Sequence, residues 1–274
     1  MDEGQAGLTR AERRQSAHRF TRRRLVGCGL LAVVAVGGTS LALSGGERPT
    51  VVRASPTTTT SPLAPTTTLP GAPPPAVVAT TNGEDLTAYA SPDTASEVVG
   101  TLTAKSDYGL PRTLLVVSQQ PGWIEALLPM RPNGSKGWVE DSTVTLGSTS
   151  FAMTISLEKH ELTFTNAGQV VLTAPVVIGR PNTPTPLGVY YVTDPVDLTK
   201  KPSKVYGVYA LGISGYSDVL YEFQGGPGQI AVHGTPSTTD FGKDISNGCV
   251  RVANDVILEI SRQVPLGTPV TITA

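Results

Sequence analysis

The chain has 274 residues, including 29 glycines and 23 prolines, and only 16% of its residues are charged. So many turn-forming residues favour a β-rich protein over a helical bundle or a coiled coil, and the length allows one to three domains. The net charge of −1 argues against a nucleic-acid-binding protein, which needs a basic surface to displace the counterions of phosphates.

The N-terminal part has the pattern of a membrane anchor. Residues 1–24 hold seven arginines against three acidic residues, and residues 25–43 carry no charge. As a helix, the uncharged segment would span roughly 28 Å, about the thickness of a bilayer core. The positive-inside rule then predicts a cytoplasmic tail (1–24), a single-pass transmembrane anchor (25–43) in the cell membrane, and a remainder outside the cytoplasm, in the cell wall or periplasmic space. A signal peptide cleaved near Ser44 is the competing interpretation.

Residues 44–83 are rich in serine, threonine and proline, with threonine runs at 57–60 and 66–68 and a proline run at 73–75. Such a segment buries too little apolar surface to offset the entropy lost on ordering. It is predicted to be a disordered stalk.

The segment 84–146 contains five short apolar runs separated by turn clusters, which is typical of a small all-β domain. The runs are 86–89, 98–102, 110–117, 123–128 and 137–139. Their order, with Trp123 opening one run and Gly137-Trp138-Val139 another, resembles a bacterial SH3-like β-barrel.

The segment 148–274 also consists mostly of predicted strands, since apolar and polar residues alternate in several short runs. One helix is expected after Asn254, which is predicted to cap it, and Pro265 is predicted to follow its end. The fold class is therefore mostly β: a small barrel followed by a β-sandwich that carries one or two helices.

The residues that carry chemistry lie close together in this last segment. His233 ends an apolar run and is followed by Gly234, and Cys249 lies in the sequence Ser246-Asn247-Gly248-Cys249. Cys249 is the one cysteine beyond residue 43, so no disulfide partner follows the anchor. A thiol needs a nearby base to become nucleophilic, and a histidine is the usual one. The amides of Gly248 and Cys249 are candidates for an oxyanion site.

Together, these motifs resemble the L,D-transpeptidase (YkuD-type) family. The matching features are a histidine followed by glycine, the pattern Ser-x-Gly-Cys-Val-Arg ending at Arg251, and the segments 176–179 and 183–188, which read VVIG and TPTPLG. The resemblance covers 150–273. It implies that Cys249 is the acyl-accepting nucleophile and His233 its general base, that Gly234 orients the histidine, and that Gly248 serves the oxyanion site.

The resemblance also implies substrate-binding roles for Ser246, Asn247 and Arg251. Many members of the family have histidine where this chain has Asn247, which leaves all acid–base work to His233. The implied reaction joins peptidoglycan stem peptides by 3→3 cross-links, with release of D-Ala from a tetrapeptide stem. It needs no metal or other cofactor, and carbapenem-type β-lactams are the expected covalent inhibitors.

Three alternatives remain open from the residues alone. An L,D-carboxypeptidase would use the same residues with water as the acceptor. A non-enzymatic wall-binding protein would use the SH3-like domain to hold stem peptides. A zinc site would need three or four ligands, and only Asp240 and Asp244 are available to add to the cysteine and the histidine.

Overall fold

The computed structural model describes residues 71–274. The predicted basic tail (1–24), the predicted anchor (25–43) and most of the predicted stalk lie outside the described residues. The part described forms a seven-stranded sheet, an eight-stranded sheet, a two-stranded sheet and one α-helix. The prediction of a mostly β protein is therefore confirmed.

The seven-stranded sheet is antiparallel throughout, with the strand order β3-β2-β6-β5-β4-β1-β7. A single 3₁₀ turn at Asp141–Thr143 precedes its last strand. The strands are β1 (Ala76–Thr81), β2 (Leu86–Tyr89), β3 (Val98–Leu102), β4 (Thr113–Gln120), β5 (Trp123–Leu127), β6 (Lys136–Glu140) and β7 (Val144–Thr149).

The predicted stalk, 44–83, needs a correction at its C-terminal end, because Ala76–Thr81 forms strand β1. This strand lies between β4 and β7 and pairs with both. Its sequence, AVVATT, consists of small and β-branched residues that suit a sheet, and Ala79 is fully buried. The neighbouring prolines obscured this short run.

Alternating residues of the seven-stranded sheet point into a core of aliphatic side chains, among them Leu86, Leu114 and Ile124. Tyr191, from the eight-stranded sheet, packs into the same core and donates a hydrogen bond to the carbonyl of Leu127. The two sheets therefore share buried surface. That this sheet is an SH3-like barrel stays a prediction.

The eight-stranded sheet has the order β10-β9-β8-β17-β12-β13-β14-β16. Most neighbouring strands are antiparallel, but β17 runs parallel to β8 and β14 runs parallel to β16. A separate parallel pair joins β11 to β15. The strands are β8 (Phe151–Ser156), β9 (Glu161–Asn166), β10 (Gln169–Pro175), β11 (Ile178–Gly179), β12 (Gly188–Asp197), β13 (Tyr209–Tyr216), β14 (Gln229–Thr235), β15 (Asp244–Ser246), β16 (Val250–Ala253) and β17 (Pro269–Thr273).

One core lies beneath both halves of the eight-stranded sheet. Strands β8 and β9 contribute Ile155 and Phe164, while β13 and β14 contribute Ile213 and Val232 to the same cluster. Strand β12 pairs with β17 on one side and β13 on the other, so it connects the two halves. The sheet therefore curls around its own apolar face.

Helix α1 (Asn254–Ser261) packs on this core through Ile257 and Ile260, both fully buried. The prediction that Asn254 caps the helix is wrong, because Ala253 occupies the capping position and no side chain caps the end. Asn254 is instead the first helical residue, and its Oδ1 accepts a hydrogen bond from the Val208 amide. Its side chain ties the helix to the loop before β13.

The localisation prediction is also corrected. Between residues 71 and 274, no helix is long and apolar enough to cross a bilayer. No single-pass membrane anchor is supported within that range.

Candidate active site

Two parallel strands bring the predicted histidine and cysteine together. Strand β14 contains His233, and β16 begins directly after Cys249. In the register of the pair, His233 lies opposite Arg251 and Val232 lies opposite Val250. Cys249, directly before β16, therefore lies next to Ala231 of β14. Ala231 is two positions before His233 on the same strand.

Side-chain alternation places these groups on the same face of the sheet. Val232 and Val250 are fully buried in the core beneath the sheet. Because successive side chains of a strand point to opposite faces, His233, Cys249 and Arg251 lie on the other face. The local strand pattern alone therefore aligns a thiol, an imidazole and a guanidinium.

His233 is held as a neutral base. Its side chain is only 1% exposed, and Nδ1 lies 2.9 Å from the carbonyl oxygen of Gly234. A carbonyl can only accept, so Nδ1 carries the proton and Nε2 is left with a free lone pair. Burial lowers the pKa of His233 to about 4; the Gly234 hydrogen bond opposes this shift, and the charge of Arg251 adds to it. Tyr206 packs edge-on against the imidazole, with ring centroids 5.1 Å apart.

Cys249 is a free, partly exposed cysteine. Burial of its sulfur raises the pKa of the thiol, while a backbone hydrogen bond from Ala231 and the charge of Arg251 act in the opposite direction. The resting pair is therefore a neutral thiol beside a neutral imidazole. Such a pair reacts when the histidine takes the thiol proton during the attack.

The turn that presents the cysteine is closed by Ser246, whose side chain is fully buried. Its hydroxyl donates to the Cys249 carbonyl at 2.6 Å and accepts from the Gly248 amide at 3.1 Å. Gly248 has φ +112°, a conformation that favours glycine. The Gly248 amide, predicted to serve the oxyanion site, donates to Ser246 here, and its role towards an oxyanion stays a prediction.

A second layer of hydrogen bonds supports this turn and was missed from the sequence. The Thr185 hydroxyl donates to the Gly248 carbonyl at 2.9 Å, and the Thr183 hydroxyl donates to the Ser246 carbonyl at 3.1 Å. Gly179 has no room for a side chain, since a Cβ would lie 2.3 Å from the Thr183 carbonyl oxygen. The TPTP segment was recognised as a motif, but its function of holding the catalytic turn was not.

The other predicted site residues lie around the same turn. Arg251 follows Cys249 by two positions, and its Nε is buried without a hydrogen-bond partner among residues 71–274. Asn247 is half-buried at the top of the turn. The structure thus places Ser246, Asn247 and Arg251 beside the thiol, while their substrate-binding roles remain predictions.

A cavity of about 390 Å³ lies on the sheet next to this site, and its lining includes Ala231 and the Tyr206 that packs against His233. Strands β12, β13 and β14 form its floor. Tyr108, from the loop between β3 and β4, contributes to its wall. Sequence reasoning missed these residues. The lining includes Tyr108, Asp194, Tyr206, Gly212, Phe223, Gln229 and Ala231.

The carboxylates considered as zinc ligands have other partners. Asp240 accepts from Lys243 and Ser237, and Asp244 contacts His160 at 2.5 Å. Over residues 71–274, no group of three or more histidine, cysteine, aspartate or glutamate side chains is arranged to hold a metal ion.

Comparison with known proteins places this domain in a family. Residues 150–272 match the family model of the L,D-transpeptidase catalytic domain, YkuD. The chain is 29% identical over 122 residues to YkuD of Bacillus subtilis (strain 168), an alignment that covers 44% of this chain and 65% of that protein. For the Bacillus licheniformis YkuD, the identity is 29% over 123 residues, with 45% of this chain and 66% of that protein covered. The chain thus spans just under two thirds of the length of these relatives.

Among solved structures, L,D-transpeptidase 3 from Mycobacterium tuberculosis, in complex with a faropenem-derived adduct, is similar with a TM-score of 0.40 and 16% identity. The match covers 60% of this chain and 91% of that one. From the family model and the curated relatives, residues 150–272 of this chain belong to the YkuD family of L,D-transpeptidase catalytic domains.

Proposed function

We propose that this protein is a peptidoglycan L,D-transpeptidase that forms 3→3 cross-links through a thioacyl-enzyme on Cys249. The main support is the β14–β16 register, which puts the Cys249 thiol and the neutral His233 imidazole on one sheet face, next to a cavity lined by their neighbours Ala231 and Tyr206. Family membership supplies the reaction class. The substrate is a tetrapeptide stem whose third residue is a diamino acid and whose fourth is D-Ala.

In the first half-reaction, the sulfur of Cys249 attacks the carbonyl between the diamino acid and D-Ala. His233 Nε2 takes the thiol proton and passes it to the departing amine of D-Ala. The C–N bond breaks, a C–S bond forms, and the stem remains as a thioester. Nδ1 stays bonded to the Gly234 carbonyl and keeps the ring in place.

The negative oxygen formed during the attack needs a hydrogen-bond donor. The Cys249 amide is the best candidate, since within residues 71–274 it donates to no other acceptor, whereas the Gly248 amide donates to Ser246. The neighbouring Arg251 guanidinium adds positive charge close to the developing anion. The proposed oxyanion site therefore consists of the Cys249 amide and the Arg251 guanidinium.

In the second half-reaction, the side-chain amine of a neighbouring stem attacks the thioester. Its proton returns through His233 to the sulfur, and an amide bond between two third residues results. The energy of the cleaved amide is retained in the thioester, so no ATP is required. Carbapenem-type β-lactams would acylate Cys249 in the same way, since their strained carbonyl is open to a thiolate.

Intact-mass spectrometry of the full-length protein tests the proposal. We expect a covalent adduct with a carbapenem, and with disaccharide-tetrapeptide a cross-linked dimer that has lost one D-Ala. Cys249→Ala should form neither, whereas Cys28→Ser, which changes the other cysteine in the chain, should form both. Tripeptide and free D-Ala without dimer would identify a carboxypeptidase. A folded protein without adduct or turnover would refute the enzyme and favour wall binding.

A further inference from the structure

A row of four residues crosses the sheet from the catalytic cysteine to a buried carboxylate. Asp194 on β12 lies opposite Gly212 on β13, and Gly212 lies opposite Ala231 on β14. Ala231 in turn lies beside Cys249, as the β14–β16 register requires. Three strand spacings of roughly 4.8 Å put the ends of the row about 14 Å apart.

The middle of the row is open because its two residues are small. Asp194, Gly212 and Ala231 all line the cavity of about 390 Å³. A Cβ built on Gly212 would lie 3.3 Å from the Asp194 Cβ and 3.2 Å from Gln229 Nε2, so glycine keeps the floor low beside the carboxylate. The row thus forms part of the cavity floor, with Asp194 at one end and Ala231, the neighbour of Cys249, at the other.

Asp194 has no partner of its own in the part of the chain that is described. The residue is only 4% exposed, and its Oδ1 is buried without a hydrogen bond. A buried carboxylate without a partner is costly unless a ligand supplies a donor or a positive charge.

The donors around Asp194 are engaged elsewhere. The Tyr191 hydroxyl donates to Leu127 and the Tyr216 hydroxyl to the Pro129 carbonyl. Gln229 Nε2 donates to the Thr193 hydroxyl and to the Ile213 carbonyl.

The guanidinium of Arg112 is also engaged by other groups. Arg112 lines a second cavity of about 230 Å³ that Asp194 shares, and its guanidinium binds the carbonyls of Thr103 and Lys105 at 3.0–3.1 Å. The Asp194 carboxylate therefore faces the two cavities with no hydrogen bond to Oδ1.

We propose that Asp194 binds the terminal ammonium of the donor stem's diamino acid side chain. This inference rests on the proposed function. With the scissile carbonyl at Cys249, the extended aliphatic part of that side chain would lie over Ala231 and Gly212. The C–S bond at one end of the row and the N–H···O hydrogen bond at the other make up part of the distance that the diamino acid side chain has to bridge. Burial strengthens the ion pair between the Asp194 carboxylate and the ammonium. The site therefore selects a stem whose third residue is cationic.

Two donor stems that differ in a single group test this inference. One carries the free side-chain amine at its third residue, and in the other that amine is acetylated. The chemistry at the scissile carbonyl is the same in both, so a difference in the rate of thioester formation reports recognition of the ammonium. For the full-length wild-type protein, we expect the free amine to be favoured about 30- to 100-fold.

Asp194→Asn keeps the shape of the side chain and removes its charge, and it should reduce the preference to about threefold or less. Faropenem, a penem without an amino group, should acylate the wild-type protein and reports whether Cys249 is reactive. The control Asp197→Asn makes the same charge change on the same strand, at an exposed position outside the cavity lining, and should keep the preference.

Equal rates for the two donors in the wild type would overturn the inference without any variant. A preference that persists in Asp194→Asn would overturn it as well. If neither donor nor faropenem acylates the wild-type protein, the proposed function itself fails, and this inference with it.

Discussion

Asn133 and Tyr216 exchange two hydrogen bonds between the two large sheets. Asn133 Nδ2 donates to the Tyr216 carbonyl at 2.7 Å, and the Tyr216 amide donates to Asn133 Oδ1 at 2.9 Å. Beside them, Arg131 donates to the carbonyls of Ser217 and Leu220. The hairpin between β5 and β6 thereby holds the start of the segment 217–228, which contributes Phe223 to the wall of the catalytic cavity.

Replacing Asn133 with alanine should loosen this wall. The change removes both bonds to Tyr216 and a third to the Asp218 carboxylate, and we expect the free energy of unfolding to fall by about 1–3 kcal/mol. Hydrogen exchange in 217–228 should become faster, and the KM for the stem peptide should rise more than kcat falls.

Asn82→Ala is the matched control. Asn82 makes two side-chain hydrogen bonds, to Ser142 and Thr145, and neither bond involves the segment 217–228. It should lose stability without faster exchange in 217–228. Equal exchange in that segment for the two variants would contradict the clamping role of Asn133.

Ser246 should matter for the reaction although its hydroxyl faces the protein interior. Ser246→Ala removes the contacts that fix the Gly248 amide and the Cys249 carbonyl, so the thiol loses its fixed position. We expect faropenem acylation to slow by about tenfold or more and stability to fall by about 1–3 kcal/mol. Ser261→Ala, which removes a single hydroxyl contact on helix α1, should change acylation by less than twofold. Equal acylation rates in the two variants would show that the turn does not depend on Ser246.

The buried imidazole predicts a loss of stability in acid. His233 has a pKa near 6.5 when unfolded and about 4 when folded, so between these values the unfolded chain binds more protons. The stability that the neutral, buried imidazole contributes is fully present above about pH 6.5. It is lost as the pH falls towards 4, and the free energy of unfolding decreases by about 2–3 kcal/mol in all. Urea unfolding of the wild type and of His233→Gln at pH 7 and pH 4.5 measures it. The variant should lose less stability over that interval, and identical losses would contradict the prediction.

Gly179 should not tolerate even a methyl group. A Cβ there would lie 2.3 Å from the Thr183 carbonyl oxygen and 2.5 Å from the Thr185 amide nitrogen, and both are backbone atoms. Gly179→Ala must therefore displace the TPTP segment. We expect the free energy of unfolding to fall by about 2–4 kcal/mol and acylation to become slower. At Gly147, the nearest atom to a Cβ is a Val78 methyl at 3.5 Å, so Gly147→Ala should change the free energy of unfolding only slightly. Thermal unfolding compares the two, and a Gly179→Ala protein as stable as Gly147→Ala would refute the packing argument.

The elements easiest to predict are those whose signal is local. Alternating residues indicated most strands, and a glycine beside His233 and another beside Cys249 indicated a pair of tight turns near a thiol. The strand at 76–81 was missed because six residues next to a proline run have little signal of their own. Ser246 was associated with substrate, yet its hydrogen bonds are internal, and no local pattern distinguishes the two uses.

Asp194 could not be found from the sequence for a different reason. One aspartate in an apolar strand has no recognisable motif, and its isolation becomes visible only once Tyr191, Tyr216 and Arg112 are seen to bind elsewhere. Likewise, Tyr108 comes from a loop nearly ninety positions before Asp194, and both line the cavity only after the sheets pack together. Sites of this kind depend on contacts between residues far apart in the chain.

The position of β17 has a consequence for the order of folding. This strand, the last in chain order, lies in the middle of its sheet, between β8 and β12. Within the order of the eight-stranded sheet, it joins β8–β10 to the strands that follow, including β14 with His233. Closing the roughly 115-residue loop between β8 and β17 is slow, because the entropy is lost before the contacts form. A protein still emerging from the ribosome therefore has its thiol and its histidine translated well before the sheet that supports them can be completed.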